Sequence, residues 1–226
     1  MQLLSADAFT PPPSAHPLLG DDEIHLWRIV IDGEPSAREV AAATRAILGT
    51  MLARYAGVGD APEIARGPHG KPYAPSIDGI DFNLSHSRDH VLLAFARRQA
   101  LGVDLERIDR RLSLEDLARR FFSAGEADAL DRIGEAERLP AFLRLWTCKE
   151  AVLKAIGQGL SFGLDRVAFA LGSDGMPAGL SELAAEAGTP DEWRLALLEP
   201  ASGFVGALAW RGAQRRIRAF VAAADA

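Results

Sequence analysis

The stretch Leu143-Arg144-Leu145-Trp146-Thr147-Cys148-Lys149-Glu150-Ala151-Val152-Leu153-Lys154-Ala155-Ile156-Gly157 constrains this chain more than any other. Strong helix formers fill it, no proline interrupts it, and Gly157 supplies a C-terminal stop. At about 100° per residue, Thr147, Glu150 and Lys154 fall on one side. Phe142, Leu145, Cys148, Val152 and Ile156 fall on the other. A helix patterned this way is mostly buried, so the remaining elements are organised around it, yet it carries a carboxylate and an ammonium one turn apart. Lys149 is odder, because it projects towards the apolar side, where an unpaired charge is costly. An ordinary i,i+4 Glu–Lys pair with a snorkelling lysine would account for this stretch taken alone.

A second stretch changes that reading. In Leu101-Gly102-Val103-Asp104-Leu105-Glu106, Val103 and Leu105 alternate with Asp104 and Glu106, which is strand patterning. Period two puts both carboxylates on one face, where they repel unless something positive lies between them. A divalent cation is the obvious candidate, and Glu150 would supply a third oxygen. Three carboxylates with waters and a phosphate suit Mg²⁺, which prefers oxygen and keeps part of its hydration shell. A strand Asp-x-Glu by itself is more often a solvated edge.

Together these residues resemble a family. Gly102-Val103-Asp104-Leu105-Glu106, followed by Trp146-Thr147-Cys148-Lys149-Glu150-Ala151 with Lys154 and Gly157, is similar to the two signature motifs of the 4′-phosphopantetheinyl transferases. Gly70-Lys71-Pro72, Phe82-Asn83-Leu84-Ser85-His86-Ser87, and Phe121-Phe122-Ser123 with Glu126 add three further matches in the expected order. The resemblance covers residues 45 to 170 well and the ends loosely. In length the chain resembles the monomeric surfactin-synthetase-activating type, not the short trimeric holo-acyl-carrier-protein synthases.

The resemblance implies an α/β (α+β) fold: a pseudo-dimer of two similar subdomains with the active site in the cleft between them. It implies transfer of 4′-phosphopantetheine from coenzyme A to a serine of an apo acyl or peptidyl carrier protein, with 3′,5′-ADP leaving. Asp104, Glu106 and Glu150 match the family's Mg²⁺ ligands. Lys154 matches its phosphate-contacting lysine. Glu150 is the expected general base, with Glu126 as rival. Ser85, His86, Lys71, Pro72, Arg45 and Lys149 match positions that hold coenzyme A, Lys71 as an exposed ammonium fixed on a turn. One departure stands out. Family members carry a basic segment before the first helix's Arg-x-x-Leu-Gly, whereas here Asp32–Thr44 holds only Arg38. Arg28 or Arg38 is expected to compensate. Arg110, Arg111, Arg119 and Arg120 form a candidate basic edge for an acidic carrier. Two rivals share these residues: a metal-dependent phosphodiesterase, and a non-catalytic binder of coenzyme A or carrier.

Composition narrows the setting. The chain has 226 residues, of which 48% are hydrophobic and 25% charged, enough for a substantial core. Cys148 is the single cysteine, so no internal disulfide forms, and with no histidine beside it a buried structural thiol is expected. A net charge of −6 argues against bulk nucleic-acid binding. With no signal peptide and no transmembrane run, a cytoplasmic monomer is expected.

In chain order, residues 1–20 read as an extended tail with Pro11-Pro12-Pro13. The first subdomain is read over residues 21–106, with a strand at 23–31, a helix at 35–55, and strands at 80–84, 91–96 and 101–106. The second, residues 107–226, opens with a helix at 113–122 capped by Ser113 and the central helix from about Pro140. Strands follow at 167–171, 192–198, 204–210 and 216–221. Strand pairs 91–95/101–106 and 204–208/217–221 suggest a weak internal repeat.

Overall fold

Period two governs the two central strands of this protein. In residues 91–96, Val91, Leu93 and Phe95 belong to one apolar cluster, while Leu92, Ala94 and Ala96 belong to another. In residues 204–210, Val205, Ala207 and Ala209 join a third cluster, and Phe204, Leu208 and Trp210 share the second. Strands apolar on both faces lie between layers. The result is four layers: helix, sheet, sheet, helix.

The computed structural model describes residues 1–13, 17–109 and 114–222. Arg110, Arg111 and Ser113 lie outside these. In order the elements are β1 (Gln2–Ser5), β2 (Glu23–Val30), α1 (Ala37–Ala56), β3 (Ala65–Arg66), β4 (Pro72–Tyr73), β5 (Ile80–Ser87), β6 (His90–Arg97) and β7 (Leu101–Arg107). Then come α2 (Leu114–Phe121), α3 (Ala124–Asp131), α4 (Glu135–Ile156), β8 (Val167–Leu171), β9 (Pro177–Leu183), β10 (Trp193–Glu199), β11 (Phe204–Arg211) and β12 (Arg216–Ala222). One sheet runs β12-β2-β6-β5 and the other β1-β10-β11-β7. Within them, β2, α1, β5 and β6 repeat as β7, α4, β10 and β11. In each set the last strand is central and pairs antiparallel with the other two. The expected mixed α/β fold is therefore present; the repeat differs from the expected one, since β6 and β11 correspond but β7 answers to β2 and not to β12.

Three expectations change. The stretch read as a tail opens as β1, which pairs in parallel with β10, and Thr10 bridges Phe220 in β12. The strand at 101–107 opens the second repeat rather than closing the first, since β7 pairs with β11. The central helix starts at Glu135 and contains Pro140 in its second turn, where the ring removes the ladder bond to the Ala136 carbonyl. Among the described residues no helix is long and apolar enough to cross a membrane.

The N-terminus of α1 is a capping box, Ser36 accepting from the Glu39 N–H and Glu39 from that of Ser36. Gly157 ends α4 with φ 84°, a conformation that favours glycine. Gly102 has a packing reason. A Cβ there would stand 2.0 Å from the Ala151 carbonyl oxygen and 2.5 Å from the Ala155 nitrogen. Only glycine lets α4 lie against β7 at this distance, and that contact sets the helix's charged side chains beside the strand's.

Candidate active site

β5 and β7 are the facing edges of the two sheets, and side chains rather than a backbone ladder join them. Asn83 Oδ1 accepts from the Val103 N–H at 2.9 Å. Ser85 Oγ donates to Asp104 Oδ1 at 2.8 Å, and Ser87 Oγ to Glu106 Oε2 at 3.3 Å. Alternate residues of β5 thus meet Val103, Asp104 and Glu106 of β7, and the two serines reach the two carboxylates that period two puts on one face. Asp104 and Glu106 share the face expected of them, and both are buried.

α4 brings Glu150 and Lys154 to this seam. Lys154 Nζ donates to Asp104 Oδ1 at 2.7 Å, to Ser85 Oγ at 3.1 Å and to the Val103 carbonyl at 3.1 Å. Asp104 Oδ2 is buried and has no hydrogen-bond partner among the described residues. Burial, reinforced by the charges of Asp104 and then Glu106, pushes the Glu150 carboxyl up to about 7, against the pull of Lys154. A carboxylate held there exchanges protons near neutrality. Among the described residues no three His, Cys, Asp or Glu side chains are gathered closely enough to hold a metal ion as they stand.

A cleft of about 250 Å³ opens beside this cluster, lined by Lys71, Pro72, Asn83, Glu150 and Lys154. A smaller hollow of about 110 Å³ adjoins it, lined by Thr44, Arg45 and His86, and the two share Arg66, Pro72 and Leu84. Arg45, Lys71, Pro72, His86, Glu150 and Lys154 therefore lie along one groove, and Ser85 lies under it. His86 is held below its usual range by burial and then by the Lys154 charge. Arg66 was not singled out from the sequence. Its only signal is its place four residues before Gly70, whose carbonyl its guanidinium holds at 2.9 Å. Arg28 does not compensate for the missing basic segment. It donates to the Pro200 carbonyl and lies over the Phe9 ring.

Three site expectations are corrected. Lys149 does not line the groove: its side chain is fully buried, and its ammonium donates to Glu126 Oε2 at 2.7 Å and to the Leu164 and Val167 carbonyls. Glu126 is not a free base. Its Oε2 also accepts from the Ser123 N–H, and its Oε1 from the Phe169 N–H. The pair is a buried weld between α4, α3 and β8. Lys71 is not exposed as expected. Its ammonium donates to the carbonyls of Leu101 and Ala155, and burial pulls its pKa down to about 8. Cys148 is buried, and burial pushes its thiol well up, so it is no nucleophile.

Known proteins carry the same pattern. A family model described as the 4′-phosphopantetheinyl transferase superfamily matches residues 100–209, which run from the start of β7 into β11, the second repeat. The 4′-phosphopantetheinyl transferase HetI of Nostoc sp. is 34% identical over 232 residues, covering 89% of this chain and 93% of its own. The 4′-phosphopantetheinyl transferase Sfp of Bacillus subtilis is 39% identical over 107 residues, 47% of this chain and 46% of its own. The 4′-phosphopantetheinyl transferase AcpT of Escherichia coli K12 is 38% identical over 121 residues, 53% and 58%. With HetI matched along nearly its whole length, and the carboxylate and lysine motifs meeting at one seam, the chain belongs to the 4′-phosphopantetheinyl transferase superfamily.

Proposed function

We propose that this enzyme transfers 4′-phosphopantetheine from coenzyme A to a serine hydroxyl of an apo carrier protein and releases 3′,5′-ADP. The observation that carries the reading is Asp104: one oxygen bonded to Lys154 and Ser85, the other buried without a partner among the described residues, beside a groove lined by basic side chains.

Asp104, Glu106 and Glu150 fit Mg²⁺ by donor chemistry, being all carboxylates, one with an oxygen that nothing else among the described residues satisfies. Because they do not already close on one point, they would share the ion with waters and phosphate oxygens. When bound, Mg²⁺ neutralises pyrophosphate charge. The chain's own residues do the rest. Arg45, Arg66 and His86 bind the nucleotide end, and Arg66 supplies the charge that the short basic segment lacks. Lys71 keeps one N–H free for a phosphate oxygen. Lys154 faces the transferred phosphate and gives up one of its three present bonds to reach it. Glu150 takes the serine proton as the serine oxygen–phosphorus bond forms and the bond from phosphorus to the 3′,5′-ADP oxygen breaks.

The test is to incubate the protein with coenzyme A, Mg²⁺ and an apo carrier protein and weigh the carrier. A gain of one phosphopantetheine on its serine is expected. Release of 3′,5′-ADP with an unmodified carrier would replace this reading by hydrolysis.

A further inference from the structure

Ser87 is used by nothing in the reaction just described, yet it touches one of its carboxylates. Its hydroxyl oxygen accepts from the Arg107 N–H at 3.1 Å, and its hydrogen goes to Glu106 Oε2 at 3.3 Å. A serine hydroxyl has one hydrogen, and with the oxygen facing a main-chain donor that hydrogen is left to point at the carboxylate. The same device recurs two residues earlier on β5. There Ser85 accepts from Lys154 and donates to Asp104. Each carboxylate of β7 thus has its own serine on β5, and each serine is aimed by a donor behind it. Ser87 is buried, so water does not compete strongly for the bond.

We infer that Ser87 is a positioning residue: it fixes the Glu106 carboxylate for the divalent cation and so sets cation affinity without touching coenzyme A. The inference rests on the reading of Glu106 as a metal ligand. Hydrogen bonds to ligating carboxylates fix their orientation, and losing such a partner lowers metal affinity by about 10- to 100-fold. The structure adds the direction of that bond. The Arg107 N–H belongs to the same strand as Glu106, so the serine ties the carboxylate to its own backbone.

The experiment compares the Ser87→Ala, Ser87→Thr and Glu106→Ala variants by titration with Mn²⁺, reading free Mn²⁺ by electron paramagnetic resonance. Coenzyme A affinity without metal and Tm are measured in parallel. Ser87→Ala is expected to weaken Mn²⁺ binding about 10-fold or more, leave metal-free coenzyme A affinity unchanged, and recover with Ser87→Thr, which keeps the hydroxyl. If Glu106→Ala binds Mn²⁺ as well as the unaltered protein, the metal reading of Glu106 fails, and this inference with it. If Glu106→Ala loses Mn²⁺ but Ser87→Ala does not, the inference alone is overturned. It is also overturned if Ser87→Ala weakens Mn²⁺ and coenzyme A equally while lowering Tm, since that is the mark of a general packing role.

Discussion

Burial pulls the Lys71 ammonium down to about 8, while the same lysine in the unfolded chain titrates near 10.5. Between those values the unfolded state binds more protons, so stability rises with pH across that window as a costly buried charge is released. Coenzyme A responds with the opposite sign, because a neutral amine no longer attracts phosphate. The Kd for coenzyme A is therefore expected to rise above pH 8 while the Tm of the free protein rises too. In Lys71→Met both trends vanish, as calorimetric titration and thermal melts at pH 7, 8 and 9 would read. Affinity and Tm that rise together with pH, or trends that survive the substitution, would assign them elsewhere. Asp104 gives the sharper test. Asp104→Asn keeps the size and the Ser85 contact but removes the charge that Lys154 and a cation share. Transfer is expected to fall by about 10²- to 10³-fold, on the scale seen when one electrostatic catalytic group is removed, with circular dichroism unchanged. Activity within tenfold of the unaltered enzyme would remove Asp104 from the reaction.

At the level of the element, α4 is held by two different devices, and only one was legible in the sequence. The alternation of Asp104 and Glu106 and the Glu150–Lys154 spacing are local patterns, so the seam residues could be read off before any fold was known. Gly102 is local in sequence but long-range in cause, since what forbids a side chain is the Ala151 carbonyl on α4. Gly102→Ala is expected to cost about 3 kcal/mol or more, the upper range for overpacking, in urea unfolding. It should also lower transfer in the folded fraction, because the helix that lifts carries Glu150 and Lys154. Lys149 was visibly misplaced on the apolar side, but its partner, 23 residues away, was not visible. The helix at Ala124–Asp131 that presents Glu126 went unread, being short and weakly patterned. Because Lys149 and Glu126 satisfy each other in a dry site, Lys149→Met alone is expected to cost about 3–5 kcal/mol. The double variant Lys149→Met with Glu126→Leu should recover only the part due to the unpaired charge, since the Ser123 and Phe169 N–H groups and the Leu164 and Val167 carbonyls still lose their partners. A Glu126→Gln variant that stays fully stable yet loses the acidic limb of its pH–rate profile would instead restore Glu126 as a base.

Across the whole molecule, each sheet ends in two unlike edges. The inner edges, β5 and β7, meet at the seam and carry the site. The outer edges, β12 and β1, come from the opposite ends of the chain: β12 completes the first sheet, β1 the second, and Thr10 bridges to Phe220. No local pattern announces such an exchange, which is why residues 1–20 read as a tail. The consequence is that outer-edge residues are needed for the fold and not for the chemistry. Phe220 is the clearest case. It is buried, its ring lies 4.7 Å from Trp27 and 5.3 Å from His25, and two strands, β2 and β6, separate it from β5. Around it, Arg216 and Arg218 face the buried Glu23, which also receives His25. Phe220→Ala is expected to cost about 3–5 kcal/mol, the range for emptying an aromatic site in a packed core. The kcat/KM of the folded fraction should stay unchanged, because nothing along β12 reaches the groove. Chemical denaturation and transfer kinetics on the same preparation separate the two quantities. A variant that remains stable but transfers slowly would mean that the outer edge communicates with the seam through β2 and β6.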